Sequence, residues 1–401
     1  MQTSTTFSRS FILIMAITCG VCAGSNYYNQ PLVYEIAKTL QVPVEKAAFT
    51  IVISQFAYAL GLILLIPLGD KFSKRKLVLC LMSISGIAQI LIGYSQQLWS
   101  LYLLTFVATT FSIGSQVLIP FISSLGDSEK MSQIIGTLMS GLFLGILLAR
   151  AYAGAISTFA DWHTVYISSG ILMLILTLVM YVKLPVPQPV TQQIKLFSIY
   201  HSMLHIAWRS PQLIRRGCVG AMAFASMILA LSTMAFVLAN PPYSMSEFYI
   251  GMFGLVGAAG VYATKWAGRH IDAFREKKVA IMGCTLLILQ WVMLFFAKQS
   301  LVIYIIGLLC GYFAISVLHV LNQSLILRQA DDTRSRQHSI YMFLYFMGAA
   351  LGSTVGVYAW SHWGWMGCCL FGLGFSLLTV VFDVLDRYKM NRVCSSTSVI
   401  E

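Results

Sequence analysis

The sequence predicts an all-α membrane protein, with twelve transmembrane helices arranged as two pseudo-symmetric six-helix bundles. Composition is the first ground: 58% of the 401 residues are hydrophobic and only 10% are charged, where an average soluble domain carries about a quarter. The mean hydropathy of +0.78 is the second. The third is a succession of apolar runs, each near the ~20 residues that cross a bilayer core of ~30 Å. The same composition excludes disordered, collagenous and coiled-coil chains, and nine cysteines scattered through 401 residues do not make a disulfide scaffold.

Cutting the chain at charges, prolines and turn clusters gives spans at 10–34, 47–69, 77–94, 99–121, 133–157, 163–183, 214–239, 247–268, 279–297, 300–326, 338–360 and 363–384. The first is read as a retained span rather than a cleaved leader. Cys22-Ala23-Gly24-Ser25 supplies small residues, but the apolar run continues past them and only Arg9 precedes it as a basic residue. After span 6, the stretch Leu184 to Gln212 opens with Pro185, Pro187 and Pro189 and holds no long apolar run. This predicts a cytoplasmic linker at 184–212 between bundles at 1–183 and 213–386, followed by a tail at 387–401. Within the linker, Ile199 to Trp208 mixes Met203, Leu204 and Ile206 with His201, His205 and the following Arg209, the pattern of a helix lying at the membrane interface.

Lysine and arginine fix the orientation, because cytoplasmic loops hold their excess. With the N-terminus inside, all but four of the 26 basic residues fall in cytoplasmic segments, among them Lys71, Lys74, Arg75 and Lys76 after span 2. The exceptions are Lys38, Lys46 and Lys298 outside and Arg150 within span 5. Twelve spans return the tail, with Arg387, Lys389 and Arg392, to the same side. The expected location is therefore a bacterial inner membrane with both termini cytoplasmic. The charges are dispersed and not interleaved with aromatics, so nucleic acid is not expected as a partner. Trp99, Trp162, Trp360, Trp363 and Trp365 at outer ends, and Trp208 and Trp266 at inner ends, fit an aromatic belt.

An internal repeat links the halves. After span 2 the chain reads Ile66-Pro67-Leu68-Gly69-Asp70-Lys71-Phe72-Ser73-Lys74-Arg75-Lys76, and after span 8 Gly268-Arg269-His270-Ile271-Asp272-Ala273-Phe274-Arg275-Glu276-Lys277-Lys278. Asp70 aligns with Asp272 at an offset of 202, while Gly145 with Gly348 and Trp162 with Trp365 give 203. The first of these segments resembles the loop signature G-x-L-a-D-R-x-G-R-R of the major facilitator superfamily. Leu68, Asp70, Lys71, Lys74 and Arg75 are kept, Ile66 and Ser73 replace the glycines, and Gly268 restores the first glycine in the second half. An aspartate at a helix end can accept hydrogen bonds from a helix N-terminus or pair with arginine. Asp70, Lys71, Lys74, Arg75, Gly268, Arg269 and Asp272 are thus expected to form a cytoplasmic latch, against the plainer reading of solvated basic loops. The resemblance covers the whole chain, extends to Asn26-Tyr27-Tyr28-Asn29-Gln30-Pro31, Gly141 to Arg150 and Asn322-Gln323, and points to an efflux-type or uncharacterised bacterial branch. Two marks of proton-coupled antiporters are absent: an arginine near Ala108, and a proline after Gly145.

In that family spans 1, 4, 7 and 10 line a central cavity, and ionisable groups inside hydrocarbon tend to face a cavity or a partner. In span 10, Tyr312, Ser316, His319 and Gln323 form one helical stripe. Asn26, Asn29 and Gln30 share a face of span 1, with Tyr27 and Tyr34 as aromatic lining. Gln55 and Tyr58 in span 2 and Gln116 in span 4 complete the candidate solute-binding set, while Thr105, Thr109, Ser112, Ser226 and Thr233 read as interhelical glue. His319 suits proton coupling by its ordinary pKa of ~6.5, or is a neutral buried histidine bonded to a neighbour. Arg150 needs an acidic partner or an anionic solute; Glu35 is the first candidate partner and Asp161 the second. Gly141 and Gly145, the glycines of span 8, and Gly348, Gly352 and Gly356 mark helices expected where the halves meet and slide.

No catalytic residue, cofactor or metal site is expected. Cys19-x-x-Cys22 lies in a membrane helix, no H-E-x-x-H or paired intramembrane aspartates exist, and no G-x-x-x-x-G-K-[ST] binds ATP. The expected function is secondary transport of a small amphipathic compound, efflux coupled to protons, by a monomer in the lipid bilayer. An importer of the same fold is the alternative, since fold does not set direction. An intramembrane enzyme or a sensor lacks the required groups or output domain.

Overall fold

In the computed structural model, which describes residues 8–123, 129–185, 196–271, 276–327 and 334–397, the regular elements are helices. Ten helical stretches are long and apolar enough to cross a membrane. One of them, Arg336–Lys389, holds two crossings, spans 11 and 12, which meet at Gly364 with φ 59° and ψ −149°. That conformation is essentially restricted to glycine. Span 8 makes the twelfth crossing in pieces, as Glu247–Met252, a 3-10 turn at Phe253–Gly257 and Ala258–His270. The last helix runs on to Thr397, past the predicted start of a tail.

Several spans are broken where polar side chains compete for backbone groups. Span 1 is Arg9–Gly24, a 3-10 turn at Ser25–Tyr27, and Asn29–Thr39. Ser25 donates to the carbonyl of Cys22 at 2.9 Å, and the break puts Pro31 into the first turn of the next helix, where its missing N–H costs nothing. Span 4 divides into Leu98–Phe111 and Gly114–Ser123, with Ser112 donating to the Thr109 carbonyl at 2.9 Å. Span 7 divides into Pro211–Ser232 and Met234–Ala239, with Thr233 donating to the Leu229 carbonyl at 2.8 Å.

The chain packs as two compact units, one of Met1–Ile199 with Met234–Leu255, the other of Tyr200–Thr233 with Val256–Glu401. In the first unit, a Cβ on Gly141 would overlap the backbone of Ala16, and one on Gly145 the backbone of Gly20, so spans 1 and 5 touch main chain to main chain. Spans 3 and 6 approach in the same way at Gly86 and Gly170. Glu247–Met252 packs on span 5, where a Cβ on Gly154 would meet the Glu247 carbonyl and one on Gly251 the Arg150 carbonyl. In the second unit, a Cβ on Gly348 would overlap the backbone of Ala221 and one on Gly352 that of Ala225, closing span 11 onto span 7. The aligned glycines Gly145 and Gly348 therefore do one job in the two halves. They join helices of their own half rather than the halves to each other, because the small residues opposite them, Gly20 and Ala221, lie in the first helix of that same half.

Leu103, Leu178, Val302 and Leu370 are more than 60% exposed, an apolar outer surface suited to lipid tails. The aromatic belt holds only in part. Trp99, Trp208 and Trp363 are exposed, but Trp162 and Trp365 are buried, the former stacked on His163 at 3.8 Å and the latter donating to the Leu294 carbonyl at 2.8 Å. The linker helix spans Leu196–Arg209, buries Ile199 and Met203 and exposes Leu204 and Trp208, an amphipathic division.

Candidate functional site

The break in span 1 positions the main polar cluster of the first unit. Arg150, 1% exposed on span 5, donates from Nε to Oε1 of Gln30 at 2.5 Å, and its guanidinium lies 4.8 Å from the Tyr27 ring centroid. Cation–π contact and a buried amide acceptor are the two ways a neutral surrounding stabilises a guanidinium. Neither predicted acidic partner is used. Glu35 Oε1 accepts the backbone N–H of Trp162 at 2.9 Å, and Asp161 caps the same helix by accepting the Thr164 N–H at 2.8 Å. Both carboxylates are drawn to the unsatisfied N–H groups and positive dipole end of span 6, so the expected Arg150–Glu35 ion pair does not form.

Asn29 also departs from expectation. It donates to Ser54 at 2.9 Å and lines a small internal cavity with Ser25, Gln89 and Thr105, while Gln30 meets span 5. Adjacent helical residues differ by about 100° in direction, and Asn29 and Gln30 follow that rule. Asn26 is 1% exposed, and neither of its side-chain polar atoms has a hydrogen-bond partner; the amide of fully buried Gln55 has none either. Gln116 donates to the Tyr58 hydroxyl at 3.4 Å, joining spans 4 and 2. Behind them Ser169 bonds Gln89 at 2.7 Å and Tyr28 at 2.9 Å, a buried network the sequence reading missed.

In the second unit the predicted stripe is physically one face. Tyr312, Ser316, His319 and Gln323 are all half-buried, while Ala314, Ile315, Val317, Leu318, Leu321 and Asn322 between them are buried. Gln323 Nε2 lies 2.9 Å from His319 Nε2, and His319 Nδ1 lies 3.1 Å from the Tyr341 hydroxyl. An amide nitrogen only donates, so Nε2 accepts and Nδ1 carries the proton toward Tyr341. Tyr345 covers the ring at 4.5 Å. Tyr341 and Tyr345 of span 11 were not singled out from the sequence.

At the Asp70 end, the 3-10 turn Ile66–Asp70 is followed by Lys71, 5.6 Å from the Phe72 ring, and by Lys74, which begins span 3. Arg75 donates to the carbonyl of Tyr181 and lies 5.4 Å from its ring, tying span 3 to span 6. The surroundings of Gly268 and Arg269, and Asp272 altogether, lie outside the described residues.

The largest feature the sequence reading missed is a charge cluster joining spans 7 and 12. Asp386 accepts a hydrogen bond from Arg215 Nε at 2.5 Å and lies in an ion pair 2.6 Å from Arg216 Nε, and Asp383 accepts from Arg216 Nη1 at 2.8 Å and from Arg387 Nε at 2.7 Å. Arg216, Asp383 and Asp386 are buried. The available signal was two aspartates three residues apart at the end of an otherwise apolar helix. Among the described residues no group of histidine, cysteine, aspartate or glutamate could hold a metal ion.

The sequence model of the Major Facilitator Superfamily matches residues 14–353. The uncharacterized transporter YgaY of Escherichia coli O157:H7 is 34% identical over 374 residues, which cover 93% of this chain and 95% of that protein. The probable transporter SCO4007 of Streptomyces coelicolor is 26% identical over 363 residues, covering 90% and 84%. Among solved structures, the nucleoside transporter NupG superposes with a TM-score of 0.72 at 13% identity, over 93% of this chain and 98% of that one. A bacterial homolog of the human lysosomal transporter Spinster, inward-facing and occupied, gives 0.69 at 14% identity, over 95% and 96%. At such identities the likeness concerns the fold.

Proposed function

Because the chain belongs to the major facilitator superfamily, and is thus a multi-pass membrane transporter, we propose that it exports a small amphipathic solute by alternating access in exchange for protons. It works as a monomer in a bacterial inner membrane, with both termini cytoplasmic. The observation that carries this reading is the packing of Met234–Leu255. The Trp162 ends of spans 7 and 8 pack with spans 1 and 5, while the remainder of both spans belongs to the other unit. Each changeover coincides with a helix break, at Thr233 and at Phe253–Gly257. Breaks at such points let a docked end separate without unwinding the rest of its helix. A seal that can open at one end is what alternating access requires.

Proton exchange is assigned to Glu35 rather than His319, whose two ring nitrogens are both engaged. Glu35 stands at the Trp162 end, in the helix Asn29–Thr39 that follows the membrane-crossing apolar stretch Arg9–Tyr27. Burial pushes its carboxyl up to about 7, the Trp162 N–H pulls it down, Glu247 and Asp161 raise it, and Lys38 lowers it. The carboxyl is thus neutral below about pH 7 and charged above it. Proteoliposomes loaded with solutes selected by a thermal-shift screen should show flux that changes between about pH 6 and about pH 8 with a midpoint near neutrality. Glu35→Gln should flatten that profile and uncouple solute movement from an imposed pH gradient. Solute movement indifferent to an imposed pH gradient would count against proton exchange, and accumulation in the opposite sense would make the chain an importer.

A further inference from the structure

Arg150 is a fully charged side chain placed among neutral ones. Its Nε–H is satisfied by Gln30, but its Nη1 has no hydrogen-bond partner, and it makes no ion pair with a described carboxylate. A buried charge without a counter-charge is expensive, so a structure that keeps one offers it to something that binds. The orientation of Gln30 defines what that is. Because Oε1 must face the Arg150 Nε–H, Nε2 is turned away as a donor, and it too has no partner. Asn26, four residues earlier on span 1, adds an unpartnered Nδ2. All three residues are 1% exposed.

The surroundings constrain the Arg150 side chain. The guanidinium lies over the Tyr27 ring at 4.8 Å, a cation–π contact that uses none of its N–H donors as a conventional hydrogen bond. Along the stem, a Cβ on Gly254 would stand 2.9 Å from the Arg150 Cβ and 3.3 Å from its Cδ, so only glycine there leaves the arginine stem its course toward span 1. Two unpartnered donors, Arg150 Nη1 and Gln30 Nε2, together with one positive charge suit the two oxygens and single negative charge of a carboxylate.

We infer that Arg150 and Gln30 form a carboxylate-recognising subsite on the solute path, so that the transported molecule is an amphipathic organic acid. This rests on the reading of the chain as a transporter. The test measures binding apart from flux. The full chain in phosphatidylcholine nanodiscs is titrated with benzoate, phenylacetate and decanoate, and in parallel with the three corresponding amides, following thermal stabilisation. At least one acid should stabilise the wild type where its amide does not, and Arg150→Gln should weaken that acid by about ten- to hundredfold. Gln30→Glu supplies the missing carboxylate from within; it should raise the melting temperature of the empty protein and abolish the response to the acid. This second variant keeps the test decisive if Arg150→Gln is poorly folded. Equal responses to acids and amides, no response to any of the acids, or an acid response that survives Gln30→Glu would overturn the subsite. Flux of a neutral solute together with such a result would remove the subsite and leave the transporter. Acid binding lost in Gln30→Glu, with no flux of any bound acid, would keep the subsite and sink the transport reading instead.

Discussion

Arg216→Met is expected to melt far below the wild type and to accumulate poorly in membranes. The substitution removes a guanidinium that is 1% exposed and leaves Asp386, 0% exposed, with only the bond from Arg215. Breaking a buried ion pair by deleting one member costs about 3–5 kcal/mol, because the remaining charge keeps its desolvation penalty and loses its partner. Replacing both members, as in Arg216→Met with Asp386→Leu, should recover most of the loss. Asp383 keeps Arg387 at 2.7 Å, and the side chain of Arg215, 26% exposed, can turn to solvent. Unfolding midpoints followed by tryptophan fluorescence in detergent would decide it. A single variant that melts with the wild type would show the cluster to be irrelevant to the second unit's stability.

Gly145→Val should have the next largest effect, through geometry rather than charge. A Cβ on Gly145 would overlap the Gly20 backbone, which no side-chain rotamer can relieve, so spans 1 and 5 must separate. Overpacking of this kind costs about 1–3 kcal/mol. The functional loss should exceed the loss of stability. Arg150 lies ~7.5 Å further along the same helix, and its 2.5 Å bond to Gln30 spans the interface being opened. Gly136, whose added Cβ would meet nothing within 4 Å, is the control, and Gly136→Ala should behave as wild type. Solute flux and melting temperature measured side by side would separate the two effects. Full flux in Gly145→Val would mean that span 1 and span 5 need not be in register.

The crossings were legible in the sequence because hydrocarbon thickness sets their length and charge marks their ends. The stripe Tyr312, Ser316, His319 and Gln323 was legible because span 10 is an unbroken helix, so spacing translates directly into direction. Asn29 and Gln30, expected to share a face, open the helix that follows the 3-10 turn Ser25–Tyr27, and as adjacent residues they point about 100° apart, Asn29 toward Ser54 and Gln30 toward Arg150. The Glu35–Arg150 pairing failed for a different reason. Opposite charges are visible in a sequence, but the competing claim of the Trp162 N–H on Glu35 belongs to a helix start 127 residues away. Arg215 and Arg216 were hidden by the expectation that basic residues collect at one membrane face, which accounts for them without a partner.

The Arg216–Asp383 bond joins residues 167 positions apart, and Arg215–Asp386 residues 171 apart. At about 5–20 residues per second of synthesis, the arginines wait about ten to thirty seconds for their aspartates. During that interval span 7 must hold its guanidiniums at the membrane surface, since an arginine carried to mid-bilayer costs about 2.5–3.5 kcal/mol even in the most lenient setting. Assembly of the second unit therefore ends only with its last helix. A chain stopped before Asp383 should be recognised by quality-control proteases and cleared, even though its other eleven crossings are intact, and pulse-chase labelling of truncated chains would reveal that delay as a lifetime.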